Sequence, residues 1–361
     1  MIKVGSDFSG VGAFNQALMR LGIEYDEVFA CDMDKFARET FIHNYGEPKY
    51  YPKDVYEREI PKESLDIYMT SPPCQAFSLA GKRLGKDDKR GVLFFNSHEF
   101  IKKNKPRYFI FENVKGLLSD NNAKTFKEWI NMLGGKSVNG LPVIFPYEDS
   151  VPYHIYYKVM NAKKHGIPQN RERVFIVGIR DDKDNFFSFP KKQYLKTKLI
   201  DLLEFNVNDK YRLSEKAKRS IIFNPDNLQK SRLDPDISSS LQCPGHSAGI
   251  YKGMTAISVR TANSKGYDIA REGDSIITSQ PSSKTLRGRV GKGVAQTLDT
   301  GCNQATIKNK AIRRMTPREC FRLMDFPDTF TWICSDSQAY KQAGNSIVVR
   351  CLELIIKQFN L

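Results

Sequence analysis

Several short polar clusters in the first half of the chain each follow an apolar, strand-like run. Asp7-Phe8-Ser9-Gly10-Val11-Gly12 follows the first, and Asp32-Met33-Asp34 follows the second. Asp54 stands in the short piece Lys53-Asp54-Val55, Ser71-Pro72-Pro73-Cys74-Gln75 comes after the next run, and Glu112-Asn113-Val114 after another. A Gly-x-Gly after a strand either lets the backbone approach a ligand or simply makes a tight turn. A carboxylate after a second strand often takes ribose hydroxyls, and is otherwise solvated. A lone cysteine is usually a small buried apolar residue. Cys74, however, follows two prolines that stiffen the chain, and a thiol presented on a rigid turn is a better nucleophile candidate than average. Arg171 and Arg173, in Gln169-Asn170-Arg171-Glu172-Arg173, alternate on entering a strand, so period two places them on one face. The alternative is a solvated strand entrance.

The elements that must position these groups alternate. Phe14, Ala17, Leu18 and Leu21 mark one face of a helix ending at Gly22, Lys35–Tyr45 reads as a second helix, and strand-like and helical runs continue to about residue 190. Such alternation predicts an α/β fold, a mostly parallel Rossmann-like sheet with helices on both faces, whose ligands sit beyond the carboxyl ends of the strands. Composition then shifts to Ser, Gly, Thr, Asn and Lys, which predicts a smaller loop-rich β domain over 191–310. Helical signals return over 311–361, beginning with the capping box Thr316-Pro317-Arg318-Glu319.

Charge is uneven. The net charge is +15, and residues 191–310 hold 21 Lys+Arg against 11 Asp+Glu, two thirds of the excess in one third of the chain. That suggests a polyanion, most simply nucleic acid, or else a solvated basic surface. The seven cysteines include no CxxC and the five histidines are scattered, so neither a disulfide framework nor a metal site is expected. No apolar run is long enough to span a membrane and the start is not a signal peptide, so a soluble cytoplasmic protein is expected.

In order and spacing, these motifs resemble the cytosine-5 DNA methyltransferases of bacteria and phages. The resemblance runs from residue 1 to about 190 and again from about 311 to 361. It rests on DFSGVGAF (Asp7–Phe14), CDMD (Cys31–Asp34), Asp54, SPPCQAFS (Ser71–Ser78), ENV (Glu112–Val114), QNRER (Gln169–Arg173), RRMTPRECFRLMDFPDTF (Arg313–Phe330) and KQAGNSI (Lys341–Ile347). The chain departs from the family pattern at Ser6, where an acid is usual, at Ala13 and Asp325, where glycine is usual, and at Asp32, where glutamate is usual.

The resemblance implies methyl transfer from S-adenosylmethionine, yielding S-adenosylhomocysteine without a metal, to carbon 5 of a flipped-out cytosine in a specific duplex DNA sequence. Cys74 is the implied nucleophile at carbon 6, Glu112 the holder of the proton at nitrogen 3, and Arg171 and Arg173 the groups on the base carbonyl. The implied cofactor contacts are Phe8 on the adenine, Gly10 and Gly12 at the amino-acid part, Asp32 on the ribose, Asp54 on the adenine amino group, and Met33, Val55, Pro72, Asn345 and Ser346 around them. The 191–310 segment becomes the target-recognition domain, in which Arg287, Arg289 and Thr297 are expected at DNA. Lys82 and Arg83, in a Gly-rich basic stretch, are expected on a lid over the flipped base, or else in a solvated loop. An RNA cytosine-5 methyltransferase of the same fold is the nearest alternative, and the basic insert argues for duplex DNA. A monomer is expected, and a separately encoded restriction endonuclease is the protein partner such an enzyme can have.

Overall fold

The chain begins with β1 (Ile2–Asp7), α1 (Ala13–Arg20), β2 (Tyr25–Cys31), α2 (Lys35–Tyr45), β3 (Ile67–Thr70), α3 (Leu93–Asn104) and β4 (Tyr108–Val114). The computed structural model describes residues 1–73, 93–180, 186–223, 256–309 and 311–361. After α4 (Lys124–Leu133) and the hairpin β5 (Ser137–Val138) and β6 (Leu141–Pro142) come β7 (Tyr153–Asn161), β8 (Gln169–Asn170) and β9 (Glu172–Arg180). The main sheet has the order β2-β1-β3-β4-β9-β7-β5-β6.

The first four of these strands are parallel, as the alternation predicts. The expected parallel sheet then changes sense, because β9 runs antiparallel to both β4 and β7. Only a short connection joins β7 to β9, too short for the crossover a parallel pair needs.

Both faces of the sheet are buried, with alternate residues going to opposite sides. Val4, Ile67, Met69, Ile110 and Val177 share one cluster with Phe14, Ala17 and Leu18 of α1. Phe29, Tyr68, Phe109, Phe111 and Ile176 share the other with Phe100 of α3 and Trp129 of α4.

Past short helices α5 (Leu199–Leu202) and α6 (Glu215–Ile221), β10 (Ala256–Arg260) pairs with β11 (Tyr267–Arg271). Strands β12 (Ser275–Ile277), β13 (Val290–Gly291), β14 (Ala295–Gln296), β15 (Gln304–Lys308) and β16 (Ala311–Arg314) follow. A second sheet has the order β13-β12-β15-β16, over a small core of Ile257, Val259, Ile276, Ala305, Ile307 and Ile312. The expected boundary at 310 therefore falls within the β15–β16 hairpin, whose second strand completes the small sheet. Conversely Leu199, Ala295, Leu298 and Cys302 belong to the large core. Helices α7 (Pro317–Leu323), α8 (Asp336–Asn345) and α9 (Val349–Ile356) return to the main sheet, where α9 packs on α1.

The capping box at α7 forms as read, with Pro317 in the first turn. Its glutamate does more than cap. Glu319 is fully buried and accepts from the backbone N–H of Thr316 at 2.9 Å and of Glu204 at 2.7 Å, and from both terminal nitrogens of Arg313 at 2.8 and 2.6 Å. One carboxylate thus joins the small sheet, the linker before it and α7. Glu319→Ala leaves the Arg313 charge buried and unpaired, which should reduce stability by about 3–5 kcal/mol. Equilibrium urea unfolding of the variant against the parent protein measures that loss.

Candidate active site

At the carboxyl end of β1 the chain turns sharply. Phe8, Gly10 and Gly12 all have positive φ, at 57°, 55° and 81°. At Gly12 a side chain is impossible on space as well as on conformation, since a Cβ would lie 2.2 Å from the Tyr45 ring. A Cβ on Gly10 would meet nothing within 4 Å among the described residues, so none of them crowds the backbone there. Asp32, just beyond β2, braces the loop: its carboxylate accepts from Gly10 N and Asp34 N, both at 2.8 Å. Burial raises its pKa against those two donors.

Met33 beside it is exposed, and Asp34 caps α2 through Phe36 N and Ala37 N. Asp54 closes its own turn by accepting from Tyr56 N at 2.9 Å, and Val55 is buried in the second core cluster. Asn345, at the end of α8, is exposed, and Ser346 after it is buried. Ser6, where an acid would be usual, is buried, and its Oγ has no partner among the described residues. At Asp325 the chain has φ 65°, a glycine-like conformation, and the carboxylate meets Arg20.

The second half of the site is built on β4 and β9. Their register sets Glu112 opposite Phe175 and Val114 opposite Arg173. Glu112 is buried and lies 3.1 Å from Arg173 Nε. Burial raises its pKa, opposed by the charges of Arg173 and Arg171. Asn113, the next residue, donates to Pro72 O at 3.2 Å, and Ser71 Oγ donates to Phe8 O at 3.4 Å. The chain that leads into Cys74 is thereby tied to both halves of the site. Cys74 itself, with Lys82 and Arg83, lies outside the described residues.

Arg171 differs from the expectation of a group on the base carbonyl. It is buried, and its guanidinium donates to Leu298 O at 3.2 Å, Gly344 O at 3.0 Å and Ser346 O at 2.7 Å. Burial first, and Arg173 second, lower its pKa to about 9, which leaves it charged at neutral pH. Those donors are committed to backbone, so it positions other segments and adds its charge near Glu112.

Arg289 is a correction. It is completely buried, and its guanidinium donates to the carbonyls of Ile277, Ser279 and Gln280 at 3.1, 2.7 and 2.8 Å. It holds a turn of the small domain and is not available to a phosphate. Arg287, two residues earlier, is exposed. Thr297 is exposed and donates to Asn170 O at 2.8 Å, beside the parallel pairing of β14 with β8. Among the described residues no group of three or more His, Cys, Asp or Glu could hold a metal. No helix among them is long and apolar enough to cross a membrane.

The arrangement is a sheet edge with a glycine-rich turn, next to a buried carboxyl flanked by two cations. Known proteins resemble the chain that carries it. The family described as C-5 cytosine-specific DNA methylase matches residues 2–360. The type II methyltransferase M1.ScrFI of Lactococcus lactis subsp. cremoris is 33% identical over 97% of this chain and 76% of its own length. The type II methyltransferase M.HhaI of Haemophilus parahaemolyticus is 31% identical over 96% and 91%. The orphan methyltransferase M.SPRI of Bacillus phage SPR is 30% identical over 99% and 97%. Among solved structures, a Spodoptera frugiperda DNMT2 mutant superposes with a TM-score of 0.62 at 17% identity, covering 99% of both chains, and supports the fold.

The raised pKa of Glu112 has a signed consequence. Its carboxyl holds a proton in the folded state above the ordinary 4.5, so folding takes up a proton in that window. Stability from this group is therefore present below the ordinary value and is lost as pH rises through the raised one. Glu112→Gln cannot ionise. The stability difference between variant and parent should shift toward the variant as pH rises above 4.5, then level off. Thermal melts across that range test it, and a shift of the opposite sign would mean that Arg173 outweighs burial.

Proposed function

The chain belongs to the C-5 cytosine-specific DNA methylase family and is a DNA cytosine-5 methyltransferase, and we propose that it acts through a Cys74 adduct at carbon 6 of a cytosine rotated out of duplex DNA. The observation that carries the mechanism is the bond from Asn113 to Pro72 O. It fixes the Pro-Pro turn before Cys74 against the strand end that presents Glu112 and Arg173.

Carbon 5 of cytosine is a poor nucleophile. Attack of the Cys74 thiolate on carbon 6 turns the ring into an enamine whose carbon 5 is nucleophilic. Negative charge then builds at nitrogen 3. A buried carboxyl whose pKa is raised is suited to hold a proton there, so Glu112 takes that role. Arg173 faces Glu112 and supports the base carbonyl, and Arg171 contributes its field from behind. Once carbon 5 carries the transferred methyl group, loss of its proton and expulsion of Cys74 as the thiolate restore the aromatic ring.

The methyl donor is S-adenosylmethionine, which supplies an electrophilic methyl group when bound. The backbone at Gly10 and Ser6 Oγ, without a close neighbour and a partner respectively among the described residues, fit a polar ligand at this strand end. Asp32 would take the ribose hydroxyls, since each carboxylate oxygen accepts only one backbone N–H. Phe8, Gly12, Met33, Asp54, Val55, Pro72, Asn345 and Ser346 would complete the pocket. No metal takes part in this reading. Target choice belongs to the small domain, with Arg287 and Thr297 at the DNA and Lys82 and Arg83 on a lid. The enzyme works as a cytoplasmic monomer, and its type II relatives make a separately encoded endonuclease a reasonable partner.

DNA carrying 5-fluorocytosine at the target cannot release a proton from carbon 5, so the enzyme should remain attached. A band shifted on denaturing gels is expected for the parent protein and absent for Cys74→Ser, which should also lose methyl transfer while still binding DNA. No band from an enzyme active on ordinary DNA would overturn attack at carbon 6.

Arg287→Ala should weaken binding to all DNA sequences and lower the slope of log affinity against log salt by about 1, the signature of one phosphate contact. Relaxed choice at a single base position with an unchanged slope would instead make it a base reader.

A further inference from the structure

A fully buried pair of charges lies beneath the proposed cofactor loop and takes no part in the steps above. Asp7 ends β1, and its carboxylate accepts from Arg58 Nε and Nη2, both at 3.0 Å, and from Tyr68 Oη at 2.6 Å. The side chains are 0% and 2% exposed. The Arg58 guanidinium also lies over the Phe100 ring at 4.5 Å.

Strand β1 does not need this pair to be held. Asp7 is already in register with Cys31 of β2 and Thr70 of β3. The partner segment is different. Residues 52–60 contain no strand or helix. Arg38 holds Pro52 O at one end, and Tyr50 Oη holds Glu59 N at the other. Between them Asp54 organises a single turn, accepting from Tyr56 N with its carboxylate and from Glu57 N with its carbonyl. Arg58 follows that turn directly and reaches the end of β1, where Phe8 begins. The pair therefore fixes the distance between the loop at Phe8–Gly12 and the turn carrying Asp54 and Val55.

We propose that Arg58, acting through Asp7, is a positioning residue for the adenosine half of the cofactor pocket. The inference rests on the S-adenosylmethionine reading given above. A two-point guanidinium–carboxylate contact fixes orientation as well as distance, which a lysine cannot reproduce.

Calorimetric titration of the full-length protein with S-adenosylhomocysteine and with 5′-methylthioadenosine tests it. Failure of the parent protein to bind S-adenosylhomocysteine would defeat the cofactor reading itself. If the parent binds, the double variant Asp7→Leu/Arg58→Leu decides the positioning role, because a matched apolar pair leaves no orphan charge behind. It should melt within about 8 °C of the parent, yet its Kd for each ligand should rise about tenfold. The factor should be the same for both ligands, since both carry the adenosine. Affinity for target DNA without cofactor should not change. Arg58→Lys should fall between parent and double variant, and it decides the question in the same way if the double variant does not fold. Unchanged Kd values in a folded variant, or a loss seen with S-adenosylhomocysteine but not with 5′-methylthioadenosine, would overturn the proposal.

Discussion

The architecture of the site depends on one buried cation. Arg171 brings a full charge into the interior, where carbonyl oxygens accept from both of its terminal nitrogens. Those oxygens come from Leu298, Gly344 and Ser346, remote in sequence from Arg171 and from two different segments. Carbonyls solvate the guanidinium without neutralising it. Its charge therefore remains to act on Glu112, whose carboxyl is pulled toward ionisation by both arginines and away from it by burial. The same residue fastens the segments together and sets part of the field in which the chemistry must run.

This fastening explains motif residues that have no chemical role of their own. A Cβ on Gly344 would lie 2.5 Å from Asp299 O, so the glycine before Asn345 and Ser346 follows from the close approach of α8 to the chain leaving the small domain. Gln169 donates to Leu323 O at 2.8 Å, and the β8–β14 pairing joins the same regions. QNRER and GNS stand far apart in the chain but are parts of one contact.

The polar clusters after β1, β2 and β4 were legible because strands buried on both faces read as unbroken apolar runs, and the polar residues that end them mark the sheet edge. The antiparallel sense of β9 was not legible in composition, since buried parallel and antiparallel strands both read as apolar runs, and the short β7–β9 connection is what selects it. Arg58 gave no signal either: it stands between two glutamates, and nothing local marks Asp7 as its partner. Arg289 misled for a related reason. Its basic, glycine-rich surroundings suggest a surface loop, but only the folded turn brings three carbonyls onto its guanidinium. The fate of a charge depends on which backbone groups the fold leaves unpaired, and local sequence does not record that.

This bears on how the basic segment should be understood. An excess of 21 Lys+Arg over 11 Asp+Glu attracts a polyanion from a distance whether or not each charge is exposed, because the long-range field sums them all. Counterion release is different, since it counts only cations that reach phosphates. Arg289, spent on three carbonyls, contributes to the first effect and not to the second. The formal charge of the small domain thus bears on the rate at which DNA is encountered, whereas only cations that meet phosphates set how strongly salt weakens the complex. Capture and grip are separate properties here, and burial of an arginine is what separates them.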